Sequence, residues 1–188
     1  MFVAANWKMN LDKKSILEFT KSLHKFKFSN QINTCIFPPM TYIDYLHNLI
    51  NNLPISVGGQ NCHFKCSGAF TGEVSANFLK DTGCEYVLVG HSERRILNNE
   101  NNAEIKSRAQ TAINSNLKVI LCVGESLKDR EEGKALEYIE KQINDCLPNN
   151  FKNSFIAYEP IWSIGTGKIP TAFEIQEMHY HIKKIVFR

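Results

Sequence analysis

Six short runs along the chain, 2–6, 32–37, 55–60, 86–89, 118–123 and 155–158, are apolar at nearly every position. A strand with one wet face alternates apolar with polar residues. A run without alternation predicts burial on both faces, as in a parallel sheet covered by helices. Between the runs the period changes to three and four. Ile16, Phe19, Leu23 and Phe26 share one helical face in the first interval, and Ile139 and Ile143 do so in the fifth. Thr171-x-x-Glu174, behind Pro170, has the form of a capping box opening the last helix. The strand starts recur about every 30 residues, the size of one βα unit. This unbroken alternation predicts an α/β fold with right-handed crossovers and one domain over 1–188, with 98–102 as a polar loop.

Two closures of such a sheet are possible. An open doubly wound sheet often carries G-x-G-x-x-G after its first strand, whereas here that strand runs into Asn6-Trp7-Lys8-Met9-Asn10. A (β/α)8 barrel collects its chemistry at the C-terminal ends of its strands. Polar residues follow most of the six runs: Asn6 and Lys8, Gln60 and Asn61, His91 and Ser92, Glu125, and Glu159. That pattern favours the barrel.

Composition narrows the partners. At 43% hydrophobic and 22% charged the chain can bury a core, which excludes disorder as its main state. Its 22 basic and 19 acidic residues form no basic run of the kind that binds nucleic acid or an anionic membrane. No apolar run approaches the roughly 18 residues of a membrane span. The N-terminus lacks the apolar stretch of a signal peptide, so a cytoplasmic location is expected. The six scattered cysteines contain no C-x-x-C and read as reduced, largely buried thiols. Cys62-x-x-x-Cys66 has no second pair at zinc spacing, and His179 and His181 face different sides of a helix, so no metal is expected.

Three segments carry candidate chemistry. Lys8, between Asn6 and Asn10 at a strand end, is either a solvated charge or an anion holder. His91 follows Gly90, which permits a tight strand exit. It is either a loop cap beside an ordinary Glu93–Arg94 ion pair, or an imidazole kept neutral by a following helix N-terminus. Glu159 is a strand-end carboxylate followed by Pro160-Ile161-Trp162-Ser163-Ile164-Gly165-Thr166-Gly167-Lys168. That segment reads as a lid with a stiff and a permissive end, and Glu159 at its hinge as a candidate base. It is no P-loop, because Trp162 and Ile169 stand where Gly and Ser or Thr would be required.

In this order and spacing, Asn6-Trp7-Lys8, Gly90-His91-Ser92-Glu93-Arg94-Arg95 and Tyr158-Glu159-Pro160 through Lys168 resemble the motifs of the triosephosphate isomerase family. Gly59-Gln60-Asn61, the 68–75 segment and Cys122-Val123-Gly124-Glu125 support the resemblance along the whole chain. It implies a TIM barrel and a homodimer that interconverts dihydroxyacetone phosphate and glyceraldehyde 3-phosphate in glycolysis and gluconeogenesis. No cofactor is implied. Glu159 would be the base, neutral His91 the carbonyl electrophile, and Lys8 the positive charge, with Asn6 donating a hydrogen bond. Ser92 and Glu93 would support the site. The 160–168 lid would close over the phosphate, using the Gly165 N–H, and Thr71 would enter the neighbouring subunit. Ser163 stands where the family usually has Ala, and Ile169-Pro170 is a further departure.

The family's barrel has eight βα units in roughly 250 residues. Six are legible here, without the glycine-rich phosphate loops after strands seven and eight. The expectation is an incomplete barrel with its last two units missing, ending at 185–188 in the sixth helix. Three states fit: a piece of a longer isomerase, a dead natural remnant with a binding role, or one part of a split enzyme. Open edges at the first and sixth strands predict a loosely folded or aggregation-prone molecule.

Overall fold

The computed structural model describes residues 1–29 and 31–186. In chain order the elements are β1 Phe2–Asn6, α1 Lys13–Leu23, β2 Asn33–Phe37, α2 Ile43–Ile50, β3 Ile55–Gly59, α3 Ala76–Asp81 and β4 Tyr86–Val89. There follow α4 Ser92–Leu97, α5 Asn102–Asn114, β5 Lys118–Val123, α6 Leu127–Glu131, α7 Ala135–Cys146, β6 Phe155–Tyr158 and α8 Ala172–Val186. The strands form one parallel sheet in sequential order, with Asn6 opposite Phe37 and Val123 opposite Tyr158 at its C-terminal rim. Every strand therefore delivers its following residues to the same end.

The unalternating runs have a direct cause. Cys35, Phe37, Tyr86, Leu88, Ile120 and Cys122 point to the inner face. Their neighbours Ile36, Val87, Val119, Leu121 and Val123 point outward onto the helices, where they meet Ile16, Leu46, Ile105, Ile139 and Ile143. Both faces are thus apolar, and each fully buried aliphatic side chain contributes about 1.5–3 kcal/mol. The sheet curls until Phe2 of β1 stacks on Phe155 of β6, with ring centroids 4.5 Å apart, and meets Tyr86 of β4 at 4.9 Å. The result is a partial TIM barrel of six βα units. Among the described residues β1 pairs only with β2 and β6 only with β5. Val3 and Phe155 on these edges remain 41% and 38% exposed, while β4 is buried throughout.

Local expectations mostly hold. Thr171 and Glu174 exchange the capping-box hydrogen bonds at the start of α8, and Ile139 and Ile143 are core. The first helical face is shorter than its pattern suggests. Phe26 lies beyond α1 and is 66% exposed, while Thr20 takes a buried place on that helix. Gln60 falls one residue past β3, and its side-chain amide donates to the Lys8 and Phe37 carbonyls. All six cysteines are free, five buried and Cys66 exposed. Helix α8 runs to Val186, and the last two residues of the expected 185–188 end, Phe187 and Arg188, lie outside the described residues.

Candidate active site

The rim of the sheet brings the strand-end residues together. Lys8 adopts a left-handed backbone, φ 51°, just past β1. That conformation costs energy for a side chain with a Cβ, and hydrogen bonds hold it from both sides. The Lys8 N–H donates to Asn6 Oδ1 at 2.9 Å, and Gln60 Nε2 donates to the Lys8 carbonyl at 2.7 Å and to the Phe37 carbonyl at 2.9 Å. The ammonium so aimed lies 2.7 Å from Glu93 Oε1.

Strand β4 leaves the sheet through Gly90, at φ 74°, where an added Cβ would sit 2.9 Å from Ile105 and 3.0 Å from Arg95. His91 is then the N-cap of α4, and its Nδ1 accepts the Glu93 N–H at 3.3 Å. A ring accepting at Nδ1 carries its proton on Nε2. That nitrogen faces Glu159 Oε2 at 3.0 Å, and Ser92 Oγ donates to the same oxygen at 3.0 Å. His91 and Glu159 are largely enclosed, with side chains 12% and 15% exposed. Behind Glu159, the fully buried Cys122 thiol is pushed well up, first by burial and then by the carboxylate's charge.

Glu159 is placed by its backbone. Its N–H donates to the Val123 carbonyl at 2.7 Å, and its own carbonyl lies 1.9 Å from where a Cβ on Gly124 would stand. Only a glycine lets the two strand ends approach this closely. Gly124 is pinned in turn, its N–H donating to the buried Gln142 Oε1 at 2.9 Å.

The segment after Glu159 is fixed at one end and open in the middle. Trp162 is buried, and its Nε1 donates to Glu125 Oε1 at 2.8 Å, as does the Tyr158 hydroxyl at 2.8 Å. Burial, followed by this bond to Glu125, raises the Tyr158 pKa. Arg130 reaches the same Glu125 oxygen at 3.2 Å and lies over the Trp162 ring at 4.8 Å. Thr166 Oγ1 donates to the Trp162 carbonyl at 2.7 Å. Ile164, Gly165, Gly167 and Lys168 are exposed, and Pro160 is partly covered.

Of the residues singled out in the sequence, Asn6, Lys8, His91, Ser92, Glu93 and Glu159 form one connected cluster. Gly165 and Thr71 stand apart from it, at the exposed tips of 160–168 and 61–75. The Glu93–Arg94 ion pair of the first alternative does not form: Glu93 pairs with Lys8, and Arg94 with the buried Glu100 at 2.7 Å. Successive helical residues point in different directions, so these two side chains do not meet. Gln142 and Arg130 are supports that the sequence alone did not mark, and Gln60 was marked at a strand end without this role. Gln60 and Glu125 carried one signal, a polar residue directly after an apolar strand; Gln142 and Arg130 carried none.

A cavity of about 300 Å³ lies beside the cluster, lined by Asn6, Lys8, Gln60, Asn61, His91 and Glu93 among others. Its lining offers an ammonium, an imidazole and the Glu93 carboxylate, with Glu159 3.0 Å from His91 Nε2. Among the described residues no group of three His, Cys, Asp or Glu side chains could hold a metal ion, and no helix is long and apolar enough to cross a membrane.

The family model described as triosephosphate isomerase matches residues 1–188. The triosephosphate isomerase of Saccharomyces cerevisiae is 39% identical over 187 residues, covering 98% of this chain and 75% of that protein. Those of Hydrogenovibrio crunogenus and of a Wolbachia from Brugia malayi are 41% and 46% identical, with 75% and 73% of their lengths covered. With six sequential βα units curled into one sheet and these matches along its whole length, this chain belongs to the triosephosphate isomerase family.

Proposed function

We propose that this chain performs its family's reaction, interconverting dihydroxyacetone phosphate and glyceraldehyde 3-phosphate through an enediolate. The continuous run of contacts from Lys8 through Glu93 and His91 to Glu159 carries this reading. Glu159, as carboxylate, removes the carbon-bound proton beside the carbonyl. His91 donates its Nε2 proton to the substrate oxygens as charge develops on them. Its Nδ1 accepts the Glu93 N–H, which leaves Nε2 as the donor turned toward the substrate. Lys8 supplies positive charge toward the substrate anion, and Asn6 both holds the Lys8 backbone and donates from its amide. Ser92 and Glu93 position the base and the ammonium.

In the resting arrangement Ser92 and His91 hold the Glu159 carboxylate. Substrate binding exchanges those bonds for the reacting carbon, while 160–168 closes with the Gly165 N–H on the phosphate and excludes water. Pro160, Trp162 and Ile164 form the near arm of this lid, and Thr166, Gly167 and Lys168 the far arm. The reaction as written needs no cofactor or metal, and neither nucleic acid nor a membrane is a partner. The exposed 61–75 loop, with Phe70 39% exposed and Thr71 beside it, suits insertion into a second copy, giving a cytoplasmic homodimer.

A coupled isomerase assay on purified residues 1–188 beside E159A tests this. Activity lost in the variant supports a working site built from this chain. Equal background in both refutes activity for the chain, because contaminating host isomerase would persist in the variant preparation.

A further inference from the structure

The far end of the 160–168 segment holds a second tie that the capping box alone does not require. Glu174 uses its two oxygens for different partners. Oε2 accepts the Thr171 N–H at 2.7 Å and the Thr171 hydroxyl at 2.8 Å, which caps α8. Oε1 accepts from Arg130 Nη2 at 2.6 Å. Arg130 is the residue whose other arm bonds Glu125 and whose plane covers Trp162. One guanidinium thus touches the anchor at the near end of the segment and the residue that fixes its far end. Arg130 and Glu174 are 19% and 30% exposed at this contact, which leaves the bond only partly screened by solvent.

We infer that Glu174 is a positioning residue for the lid, tying its far hinge at Thr171 through Arg130 to its near hinge at Trp162, so that the two hinges release together. This rests on reading 160–168 as the lid of the isomerase site. The bond between Arg130 and Glu174 adds nothing to the cap itself, which Thr171 and Oε2 complete. Its effect is to set how freely 163–170 departs from the anchored Trp162.

An aspartate at 174 separates cap from tie. In α6, Ser126 and Asp129 form the same box with the shorter side chain, so E174D keeps α8 capped. One methylene less withdraws the carboxylate from Arg130. Limited trypsin digestion of the full chain, followed by mass spectrometry, reads cleavage after the exposed Lys168 against cleavage at Lys80 and Lys141, which lie in α3 and α7. E174D is expected to raise the Lys168 ratio about three- to ten-fold, the range for losing one partly exposed charge-assisted hydrogen bond. R130K, which keeps the charge but neither forks nor stacks, is expected to do the same. A wild-type ratio in E174D, or an equal rise at all three sites, overturns the inference. Digestion reads the lid rather than turnover, so a chain without isomerase activity leaves this test intact.

Discussion

Gly124→Ala tests how Glu159 is held, with a magnitude set by the backbone. The new methyl would lie 1.9 Å from the Glu159 carbonyl oxygen, and real Cβ contacts essentially never fall below 3.0 Å. At least 1.1 Å must be found by movement. Gly124 is tethered to Gln142 and the Glu159 N–H to Val123, so neither strand end can yield without breaking one of these bonds. If Glu159 takes up the displacement, its 3.0 Å contacts with Ser92 and His91 stretch to about 4 Å, beyond hydrogen-bond range. Overpacking of this kind costs about 1–3 kcal/mol. At about 2–4 °C per kcal/mol for a chain of this size, Tm should fall by about 2–12 °C. A base misplaced by about 1 Å should also lower kcat/KM roughly 100-fold. Differential scanning fluorimetry and the coupled isomerase assay read the two effects. A G124A protein melting within about a degree of wild type, with unchanged activity, would refute the close approach as the reason for glycine. Should the wild-type chain be inactive, the melting comparison decides alone.

Other consequences are equally direct. Gln60→Leu should remove the donor that holds the Lys8 and Phe37 carbonyls and lower stability by about 1–3 kcal/mol, read as a shifted urea midpoint with unchanged slope. Under native conditions Cys66 should be the one thiol that reacts rapidly with an aromatic disulfide reagent. The other five are buried, and burial pushes Cys62 up to about 12 and Cys84 up to about 11. Since Cys66 sits in 61–75, its reaction should slow as protein concentration rises if that loop enters a second copy. Glu174 is held at about 2, below the ordinary 4.5, by the Thr171 backbone N–H and then Arg130. Its stabilisation is therefore complete above about pH 4.5 and lost as pH falls through about 2. The difference in urea midpoint between wild type and E174A should stay constant above that window and shrink within it. The exposed edges at Val3 and Phe155 should make residues 1–188 self-associate, seen as concentration-dependent sedimentation, and a single monomeric boundary at all concentrations would contradict this.

Much of the fold was legible because it rests on local periodicity. The strands begin and end within a residue of the apolar runs, since burial on two faces leaves no room for polar alternation. Thr171 and Glu174 announced α8 through a contact spanning three residues. The candidate chemistry was legible too, because a barrel concentrates its strand ends on one rim and polar residues there stand out against apolar strands. The Phe26 pattern failed because the helix stops at Leu23, and a period alone carries no stop signal.

What only the tertiary structure decided is the choice of partners. Lys8 meets Glu93 across 85 positions and Gln60 reaches back 52 to the Lys8 carbonyl, once the sheet has curled. The loop expected at 98–102 ends at Asn101, the N-cap of α5, and hides Glu100, buried against Arg94 and Arg108; nothing in its composition distinguishes it from a solvated one. Arg130 was an ordinary helix-surface arginine until α6, the 160–168 segment and the start of α8 converged on it. Hydrophobic patterning records which face of an element leaves water. It carries no information on which distant charge lies across the gap, because that depends on curvature and side-chain reach, which arise only when all six units pack.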